Sequence, residues 1–301
     1  MILWRVKTIR AVFWVAGIVL LVSALVVTVH LSANGLEFSR YNNGWNGTSQ
    51  FFAGLDRHHT FDVSDPAQLA AYHENATLLI IAPDRQPAAQ EIAAYRSFLN
   101  RGNTIVLADD FGTGNAIVQG IGSRISIIPG NLSSVDRLFA DPYSVVVYRM
   151  SNETPVRSVT RLVLNRPAPL EGGDTLMATS ILSWIDDNGD KKINTNELLG
   201  KFTVMAAEKI GRGRLVVLSD PSVFVNTMQD LDDTWDNKRF ISDLIENGEY
   251  PIVIDQMNSR TSDTEGMSTM LHVIRTTLSI EIIVVVLLML FAAVAWRRKL
   301  L

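Results

Sequence analysis

The sequence predicts an α/β domain with a mostly parallel sheet and flanking helices, bounded by an N-terminal and a C-terminal transmembrane helix. Short apolar runs alternate with helical patterns through the middle of the 301-residue chain, which is typical of parallel strands joined by crossover helices. Two long apolar runs lie near the termini. The chain has no cysteine, which excludes disulfide-stapled folds, thiolate metal sites and cysteine nucleophiles.

The two terminal runs have the length and composition of membrane spans. The first covers 11–31 and has no formal charge, and the second covers 278–296 with Glu281 as its one charged residue. At about 1.5 Å per residue, a helix over the first run extends about 30 Å, the thickness of a bilayer core. The first run could also be a cleaved signal peptide, but its length and the missing small-residue cleavage site favour an uncleaved anchor. Glu281 either rests at the membrane interface or pairs with a partner helix.

Basic residues set the expected orientation of these spans. Three of them lie in 1–10 and three in 297–301, so the positive-inside rule predicts a two-pass protein of the cell membrane with both termini cytoplasmic. The domain at 35–257 then lies outside, followed by a polar tether at 258–277. Of 27 Lys and Arg and 31 Asp and Glu, 21 bases and 30 acids remain between the termini once Glu281 is also set aside. A net charge of −9 there is the wrong sign for nucleic-acid binding.

The first half of the domain reads as two strand–helix units. ATLLIIAP at 76–83 is a buried-strand pattern, and QEIAAYRSFLNRG at 90–102 is an amphipathic helix closed by glycine. TIVLADD at 104–110 predicts the next strand and GNAIVQGIG at 114–122 the next helix. Further upstream, a helix is expected to start at Thr48 and Ser49, which are suited to capping.

The second half is richer in strands. ISIIPG, SVVVYRM and TRLVLNRP predict three strands between 125 and 167, and GRLVVLSDP at 213–221 predicts another buried strand. DNKRFISDLIENG at 236–248 has the pattern of a closing helix. Because the stretch from about 143 to 210 has more strand and less helix, we expect an antiparallel extension or an edge hairpin there.

Polar side chains follow the predicted strands where ligands bind in open α/β sheets. If the strands are parallel, the loops after them line one edge as an acidic, amide-rich cleft, together with the Asn-rich turn at 41–44. The same residues are also common helix caps and turn formers. The ligand-binding candidates are Asp109, Asp110, Thr113, Asn115, Asp220 and Asn226.

Motifs for catalysis are incomplete. GTGN at 112–115 lacks the remaining residues of a dinucleotide or phosphate loop, and neither a G-x-S-x-G elbow nor an H-E-x-x-H motif occurs. The five histidines lack metal-ligand spacing and are expected at the surface. We assign no catalytic residues, although the Asp109–Asp110 pair or Asp220 could act as an acid–base carboxylate.

The stretch DDNGDKKINTNE at 186–197 resembles a twelve-residue calcium loop. Lys191 stands where that loop has glycine, and a left-handed non-glycine residue costs about 1–2 kcal/mol. The alternative is an acidic, Asn-rich turn, but a weak isolated Ca²⁺ site would suffice outside the cell. The predicted ligands are Asp186, Asn188, Asp190, the Lys192 carbonyl, Asn194 and Glu197.

Four N-x-[ST] sequons are compatible with glycosylation of an extracytoplasmic domain. Because the segment is rich in Asn, Ser and Thr, two or three sequons are expected by chance. They begin at Asn46, Asn75, Asn131 and Asn152.

The order of motifs from Tyr41 to Asn247 resembles the DUF4350 family of membrane-anchored proteins of archaea and some bacteria. LADDFGTGN and LSDPSVFVN are the most specific pieces. The resemblance implies a class I glutamine-amidotransferase-like (flavodoxin-like) α/β fold. Such amidotransferases use a cysteine on a strand-to-helix elbow, whereas the elbow-like loops here carry Asp110 and Asp220, which argues against glutaminase activity. The resemblance also implies a membrane-complex partner, such as a MoxR-type ATPase or a transporter-associated complex.

Three functions follow from the sequence. The first is a non-catalytic domain that binds a small polar or carbohydrate-like ligand, or docks a partner in an envelope or transport complex. The second is a hydrolase that uses the strand-end carboxylates. The third is a membrane scaffold that acts through its transmembrane helices, with Glu281 as the feature that bears on it.

Overall fold

The apolar runs of the sequence form the strands of one large mixed sheet. The structure is a computed structural model that describes Gly17, Ser23 and residues 35–55, 59–136, 138–246 and 251–261. The strands are β1 (Thr60–Val63), β2 (Thr77–Ile81), β3 (Thr104–Ala108), β4 (Ser126–Ile127), β5 (Asn131–Ser134), β6 (Ser144–Arg149), β7 (Arg161–Asn165), β8 (Leu170–Glu171), β9 (Asp174–Thr179), β10 (Ser183–Asp186), β11 (Thr203–Ile210), β12 (Gly213–Leu218) and β13 (Ile252–Asp255).

Helices connect and cover these strands. The α-helices are α1 (Ser49–Gly54), α2 (Ala89–Asn100), α3 (Asn115–Gly120), α4 (Asn226–Gln229) and α5 (Asn237–Glu246), and Pro66–Ala71 and Pro221–Phe224 are 3-10 helices. The helix start expected near Thr48 is confirmed, as are the helices predicted at 90–102, 114–122 and 236–248, within two residues at each end.

Half of the large sheet is parallel. Its strands run β1–β13–β2–β3–β12, with each neighbouring pair parallel. Leu78–Ile81 in β2 are all buried, as are Ile105–Ala108 in β3, because helices or loops cover both faces of a parallel sheet. The predicted parallel α/β sheet is therefore confirmed for this half.

The other half is antiparallel, as expected for the stretch from about 143 to 210. The order continues β12–β11–β9–β6–β7, with antiparallel pairing throughout. Gly211 and Arg212 form the tight turn between β11 and β12. Gly211 has a φ of +59°, and a Cβ there would lie 2.2 Å from Asn100 Oδ1, so the turn requires glycine.

Alternating side chains of the sheet build two cores. Leu79 and Ile81 contribute to the core that Phe51 of α1 and Phe240 of α5 complete. Leu78 and Ile80 point to the other face, where Tyr95 and Phe98 of α2 belong to the second core. The period of two along each strand thus fixes which face each helix covers.

Two parts of the C-terminal region differ from the expectation. β13 was not predicted, although it inserts between β1 and β2. The predicted tether began at 258, but Asn258, Ser259 and Thr261 are buried and the backbone N–H of Arg260 donates to the carbonyls of Ile81 and Ala82. Residues 258–261 therefore belong to the domain, because they pack across the end of β2.

The predicted spans at 11–31 and 278–296 lie outside the described residues, apart from Gly17 and Ser23. The same holds for 1–10, 297–301 and the remainder of the tether. Among the residues that the structure does describe, no helix has the length and apolarity needed to cross a bilayer.

Candidate functional site

The carboxyl ends of four parallel strands meet at one edge of the sheet. Because β13, β2, β3 and β12 are neighbours with one direction, the residues that follow them lie side by side. An aspartate stands at or just after each strand, at Asp255, Asp84, Asp109 and Asp220, and Asp110 follows Asp109. The parallel pairing that an acidic cleft at this edge requires is therefore present. We call this region the carboxyl edge.

Asp109 holds the loop that follows β3. Its side chain is fully buried, and its carboxylate accepts hydrogen bonds from the backbone N–H groups of Phe111 (3.0 Å) and Gly114 (2.7 Å). Burial raises the pKa of Asp109, while these backbone donors oppose the rise. A Cβ on Gly114 would lie 2.9 Å from Asp109 Oδ2, so the glycine allows the loop to close on the carboxylate. Both oxygens of Asp109 thus position the loop.

Asp220 has a comparable role after β12. It is fully buried, and its oxygens accept hydrogen bonds from the N–H groups of Ser222 (2.7 Å) and Asn165 (2.6 Å). It caps the 3-10 helix at Pro221–Phe224 and fastens the end of β7 to the carboxyl edge. Burial raises the pKa of Asp220, because removing a carboxylate from water disfavours its charged form.

Asp110 differs from both neighbours because one of its oxygens has no partner. Oδ1 is buried, and within the described residues it makes no hydrogen bond. Burial raises the pKa of Asp110 first, and the negative charges of Asp220, Asp109 and Glu37 raise it further. Asp110 and Asp220 therefore disfavour each other's ionisation, and the pair holds a proton above the usual carboxyl range.

The amide candidates are occupied by bonds within the protein. Asn115 accepts from the N–H of Ile127 (2.8 Å) and donates to its carbonyl (2.7 Å), which docks α3 against β4. Asn226 donates to the carbonyl of Gly44 (2.7 Å) and accepts from the N–H of Gln50 (2.9 Å). The 41–44 turn therefore lies at the carboxyl edge, as expected. Asn226 holds it there through these hydrogen bonds and is not free to bind a ligand through the same atoms.

The rim of the carboxyl edge combines polar and aromatic side chains. Thr113 is half-buried in the loop after Asp110, and Phe111 is exposed. The guanidinium of Arg260 lies 4.8 Å from the centre of the Phe111 ring and 3.7 Å from Asp84. The rim therefore carries a cation and an aromatic face beside the buried carboxylates.

A second polar cluster at the end of β13 was missed at the sequence level. Asp255 is fully buried, accepts the hydroxyl hydrogen of Tyr95, and receives the N–H groups of Met257 (2.9 Å) and Asn258 (2.6 Å). Asn258 donates to the Tyr95 hydroxyl (2.7 Å) and to Glu91 (3.3 Å). Burial raises the pKa of Asp255 to about 6. The run IVID shows the same apolar-then-aspartate signal as the other strand ends and could have revealed it.

The sequence comparison decides the family. Residues 40–245 match the model of DUF4350, described as a domain of unknown function. The match covers more than half of the chain. This chain belongs to the DUF4350 family.

Solved structures resemble the DUF4350 chain only distantly. The N-terminal domain of mmIFT52 is 14% identical, with a TM-score of 0.44 over 60% of this chain and 79% of that one. A beta-galactosidase from Bacillus circulans sp. alkalophilus is 9% identical (TM-score 0.34), and this chain covers 23% of its length with 59% of its own. The cytoplasmic protein STM1381 from Salmonella typhimurium LT2 is 8% identical (TM-score 0.33; 61% of this chain, 71% of that one). The search of curated proteins gave no match. The amidotransferase-like fold stays a prediction.

One backbone angle of the stretch at 186–197, at Lys191, agrees with the calcium-loop comparison. Lys191 adopts the left-handed conformation (φ +61°), which is the conformation that glycine has at this position of a calcium loop. Its N–H donates to Asp186 Oδ2 (2.9 Å), which also accepts the hydroxyl hydrogen of Tyr143 (2.7 Å). Glu197 turns back to accept from the N–H groups of Asp187 (3.1 Å) and Asn194 (2.9 Å).

The side chains of this loop bond within the loop. Asn188 accepts from the N–H of Asp190, and Asp190 accepts from the N–H of Lys192. Over the described ranges, no group of three or more His, Cys, Asp or Glu side chains is placed to hold a metal ion. Calcium binding by this loop stays a prediction.

The four sequons differ in accessibility. Asn75 and Asn152 are exposed, whereas Asn46 and Asn131 are half-buried. Asn46 accepts a hydrogen bond from Asn42 (2.9 Å) and Asn131 pairs with Asp186 in the small sheet formed by β5 and β10. Glycosylation at these positions stays a prediction, with the exposed pair better placed for it.

A cavity of about 380 Å³ lies at the opposite end of the sheet, near the starts of β3 and β12. Some of its charged lining residues are ion-paired, since Arg214 contacts Glu153 at 2.6 Å and Glu208 contacts Arg124 at 2.7 Å. The cavity is remote from the carboxyl edge because it lies at the opposite ends of β3 and β12. We place the candidate site at the carboxyl edge.

Proposed function

We propose that this DUF4350 chain is a membrane-anchored, extracytoplasmic binding domain whose carboxyl edge binds a small polar or carbohydrate-like ligand. The two long apolar runs and the basic residues beyond them support the anchoring. Strand ends in an open α/β sheet support the location of the site. The ligand would contact Asp110 first, with Asp109 and Asp220 shaping the floor and Thr113 at the rim.

The observation that carries this proposal is the unpartnered, buried Oδ1 of Asp110. A buried acceptor without a hydrogen bond costs about 1–3 kcal/mol. A ligand that brings a hydroxyl or N–H donor to this atom would remove that cost, so the hydrogen bond would contribute to the free energy of binding. A hydroxyl-rich molecule also suits the exposed Phe111 ring, which offers an apolar face.

A binding role without catalysis is favoured by the state of the other carboxylates. Asp109 and Asp220 use both oxygens to hold backbone N–H groups, so their movement would open the loops. The chain has no cysteine to serve as a nucleophile. Only Asp110 would face the ligand, because Asp109 and Asp220 hold the loops in place. This arrangement favours ligand binding over bond cleavage.

A thermal-shift screen tests the proposal. The full-length protein in mild detergent is heated with a panel of glycans and polar metabolites, and a binding ligand raises the melting temperature. Asp110→Ala should abolish the shift. Asp233→Ala is the matched control, because Asp233 is an exposed carboxylate away from the strand ends, and it should keep the shift. A shift that survives in Asp110→Ala would refute the assignment of the site.

One observation favours a second function, a carboxylate-dependent hydrolase. The negative charge of Asp220 raises the pKa of Asp110, so Asp110 can be protonated while Asp220 is ionised, as acid–base catalysis requires. This function predicts turnover of a glycan or ester substrate that Asp110→Asn removes without lowering the melting temperature. Binding without turnover in the same panel would exclude it for those substrates.

The carboxyl edge could also bind a protein of a membrane complex instead of a small ligand. A pull-down of the full chain from its native membrane in gentle detergent, followed by mass spectrometry, identifies such a partner. Loss of the partner in Asp110→Ala but not in Asp233→Ala would place it at the carboxyl edge. Loss in Glu281→Leu instead would favour contact through the transmembrane segments.

A further inference from the structure

Two large apolar side chains project from the small loop at the start of the domain. Leu36 is 58% exposed and Trp45 is 70% exposed. The side chain between them in the chain, Phe38, is buried in the core. The loop at 36–47, here called the entry loop, thus buries one aromatic ring and presents a leucine and a tryptophan to its surroundings.

The entry loop is tightly held. The N–H of Phe38 donates to the carbonyl of Asn46 (2.9 Å), and the side-chain amide of Asn42 donates to the carbonyl of Leu36 (2.9 Å). A Cβ on Gly47 would lie 1.9 Å from the carbonyl oxygen of Asn42, so the two arms of the loop cross in close contact. Leu36 and Trp45 are therefore displayed on one tightly held loop.

The length of chain before the entry loop restricts where it can lie. Four residues, 32–35, separate the end of the uncharged run at Leu31 from Leu36. Even a fully extended chain covers only about 17 Å over that distance. If the run spans the bilayer, the entry loop must lie within this reach of the membrane surface.

The other end of the domain leaves from the same place. The N–H of Arg40 donates to the carbonyl of Thr261 (3.3 Å), and Arg40 also forms a two-pronged ion pair with Asp62 (2.7 and 2.9 Å). The chain segments that lead to both predicted spans therefore start beside the entry loop. The entry loop is therefore the part of the described domain from which both connections toward the predicted spans leave.

We propose that the entry loop inserts Leu36 and Trp45 into the lipid interface, so that the domain rests on the membrane in a fixed orientation. The proposal rests on the membrane anchoring of the proposed function. Tryptophan favours the headgroup level of a bilayer because its ring is apolar and its N–H is polar, and leucine gains by leaving water. Two interfacial side chains beside a short linker restrain the domain against tumbling.

The orientation has a consequence for the carboxyl edge. Gly44 of the entry loop accepts a hydrogen bond from Asn226 at the carboxyl edge (2.7 Å), and the negative charge of Glu37 in the same loop contributes to the raised pKa of Asp110. The Asp110 site would then lie beside the bilayer, where the headgroup region and the outer ends of membrane proteins are its nearest surroundings.

The cysteine-free sequence allows a direct test by site-directed spin labelling of the full chain. Single cysteines are introduced as Trp45→Cys and, separately, Leu36→Cys, labelled with a nitroxide, and reconstituted in phosphatidylcholine vesicles. Two controls use the same chemistry. Val27→Cys lies in the uncharged run, and Leu198→Cys replaces an equally apolar side chain that is 79% exposed. Collision rates with oxygen, which enriches in lipid, and with a water-soluble nickel complex report depth.

The expected result is a higher ratio of oxygen to nickel collisions at positions 36 and 45 than at 198, and a still higher ratio at 27. Ratios at 36 and 45 equal to that at 198, with 27 in lipid, would overturn the insertion while the anchoring stands. A water-exposed label at 27 would overturn the anchoring and with it the insertion. Lipid exposure at 198 but not at 36 or 45 would show that another face rests on the membrane.

Discussion

Asp110→Asn should raise the free energy of unfolding at pH 7 and leave it nearly unchanged near pH 4. The folded protein holds Asp110 among the charges of Asp220, Asp109 and Glu37, with burial as the largest cause of its raised pKa. In the unfolded chain the same carboxyl ionises near pH 4. Between these two pKa values the folded state binds a proton that the unfolded state has released.

The sign and size of the effect follow from proton linkage. When the folded state binds more protons, the free energy of unfolding falls as pH rises, by at most about 1.4 kcal/mol per pH unit for one proton. From pH 5 to pH 7 the loss through Asp110 alone is therefore at most about 3 kcal/mol. Asparagine has almost the shape of the protonated carboxyl and does not ionise, so the variant should recover about 1–3 kcal/mol at pH 7.

Urea unfolding of the full chain in detergent at pH 5, 6 and 7 measures this effect. The wild type should lose stability along the series, and Asp110→Asn should lose less per pH unit. Asp233→Asn, which neutralises an exposed carboxylate, should follow the wild type. The reasoning is refuted if Asp110→Asn and the wild type lose the same free energy of unfolding per pH unit. It is also refuted if the variant is less stable than the wild type at pH 7.

Four further substitutions have definite expectations. Asn226→Ala should lower the free energy of unfolding by about 2 kcal/mol, because it leaves the buried carbonyl of Asn42 and the N–H of Gln50 without the side-chain amide that they bond to, as urea unfolding would show. Tyr95→Phe should cost about 1–3 kcal/mol at pH 7 and less at pH 5, because the hydroxyl stabilises the ionised form of Asp255, whose pKa is about 6. Lys191→Gly should add about 1 kcal/mol by relieving a φ of +61°. Glu197→Gln should abolish any calcium heat seen by titration calorimetry at millimolar concentration.

Matched variants separate these effects from general damage. Asn152→Ala and Tyr148→Phe change residues outside the buried clusters and should leave unfolding unchanged within about 0.5 kcal/mol. Lys192→Gly, one position after Lys191, should not stabilise, because Lys192 is not among the residues of positive φ. An equal gain from both glycine variants would contradict the strain assigned to Lys191, and the absence of calcium heat in the wild type would end the calcium prediction.

Three strands of the parallel half, β2, β3 and β12, could be predicted because they are local signals, whereas β1 was missed along with β13. TLLII and TIVLA are apolar runs of strand length next to clear helices, and such runs are buried on both faces in parallel sheets. The strand β13 was missed because IVID is short, and because its partners β1 and β2 are about 190 and 175 residues away in sequence. The sequence of a strand does not indicate its partners when both of them are far away along the chain.

The candidate site shows a different limit. The position of Asp109, Asp110, Asn115 and Asn226 near strand ends could be read from the sequence, but the partners of their side chains could not. Asn115 and Asn226 bond to backbone groups 12 residues away and more than 170 residues away. Only the fold shows that these amides are already occupied and that one oxygen of Asp110 is not.

Asp109, Asp110 and Asp220 of the carboxyl edge illustrate how a fold assigns roles to chemically identical groups. Asp109 and Asp220 receive two backbone N–H groups each, and these donors lower the cost of burying a carboxylate. Asp110 has no such donor at Oδ1, although the neighbouring charges make its own charge more costly. A protonated carboxyl relieves the repulsion but still leaves an acceptor unsatisfied, whereas an external donor relieves both. The carboxylates of Asp109 and Asp220 therefore have their hydrogen bonds without a ligand, whereas Oδ1 of Asp110 does not. This is why binding should depend on Asp110.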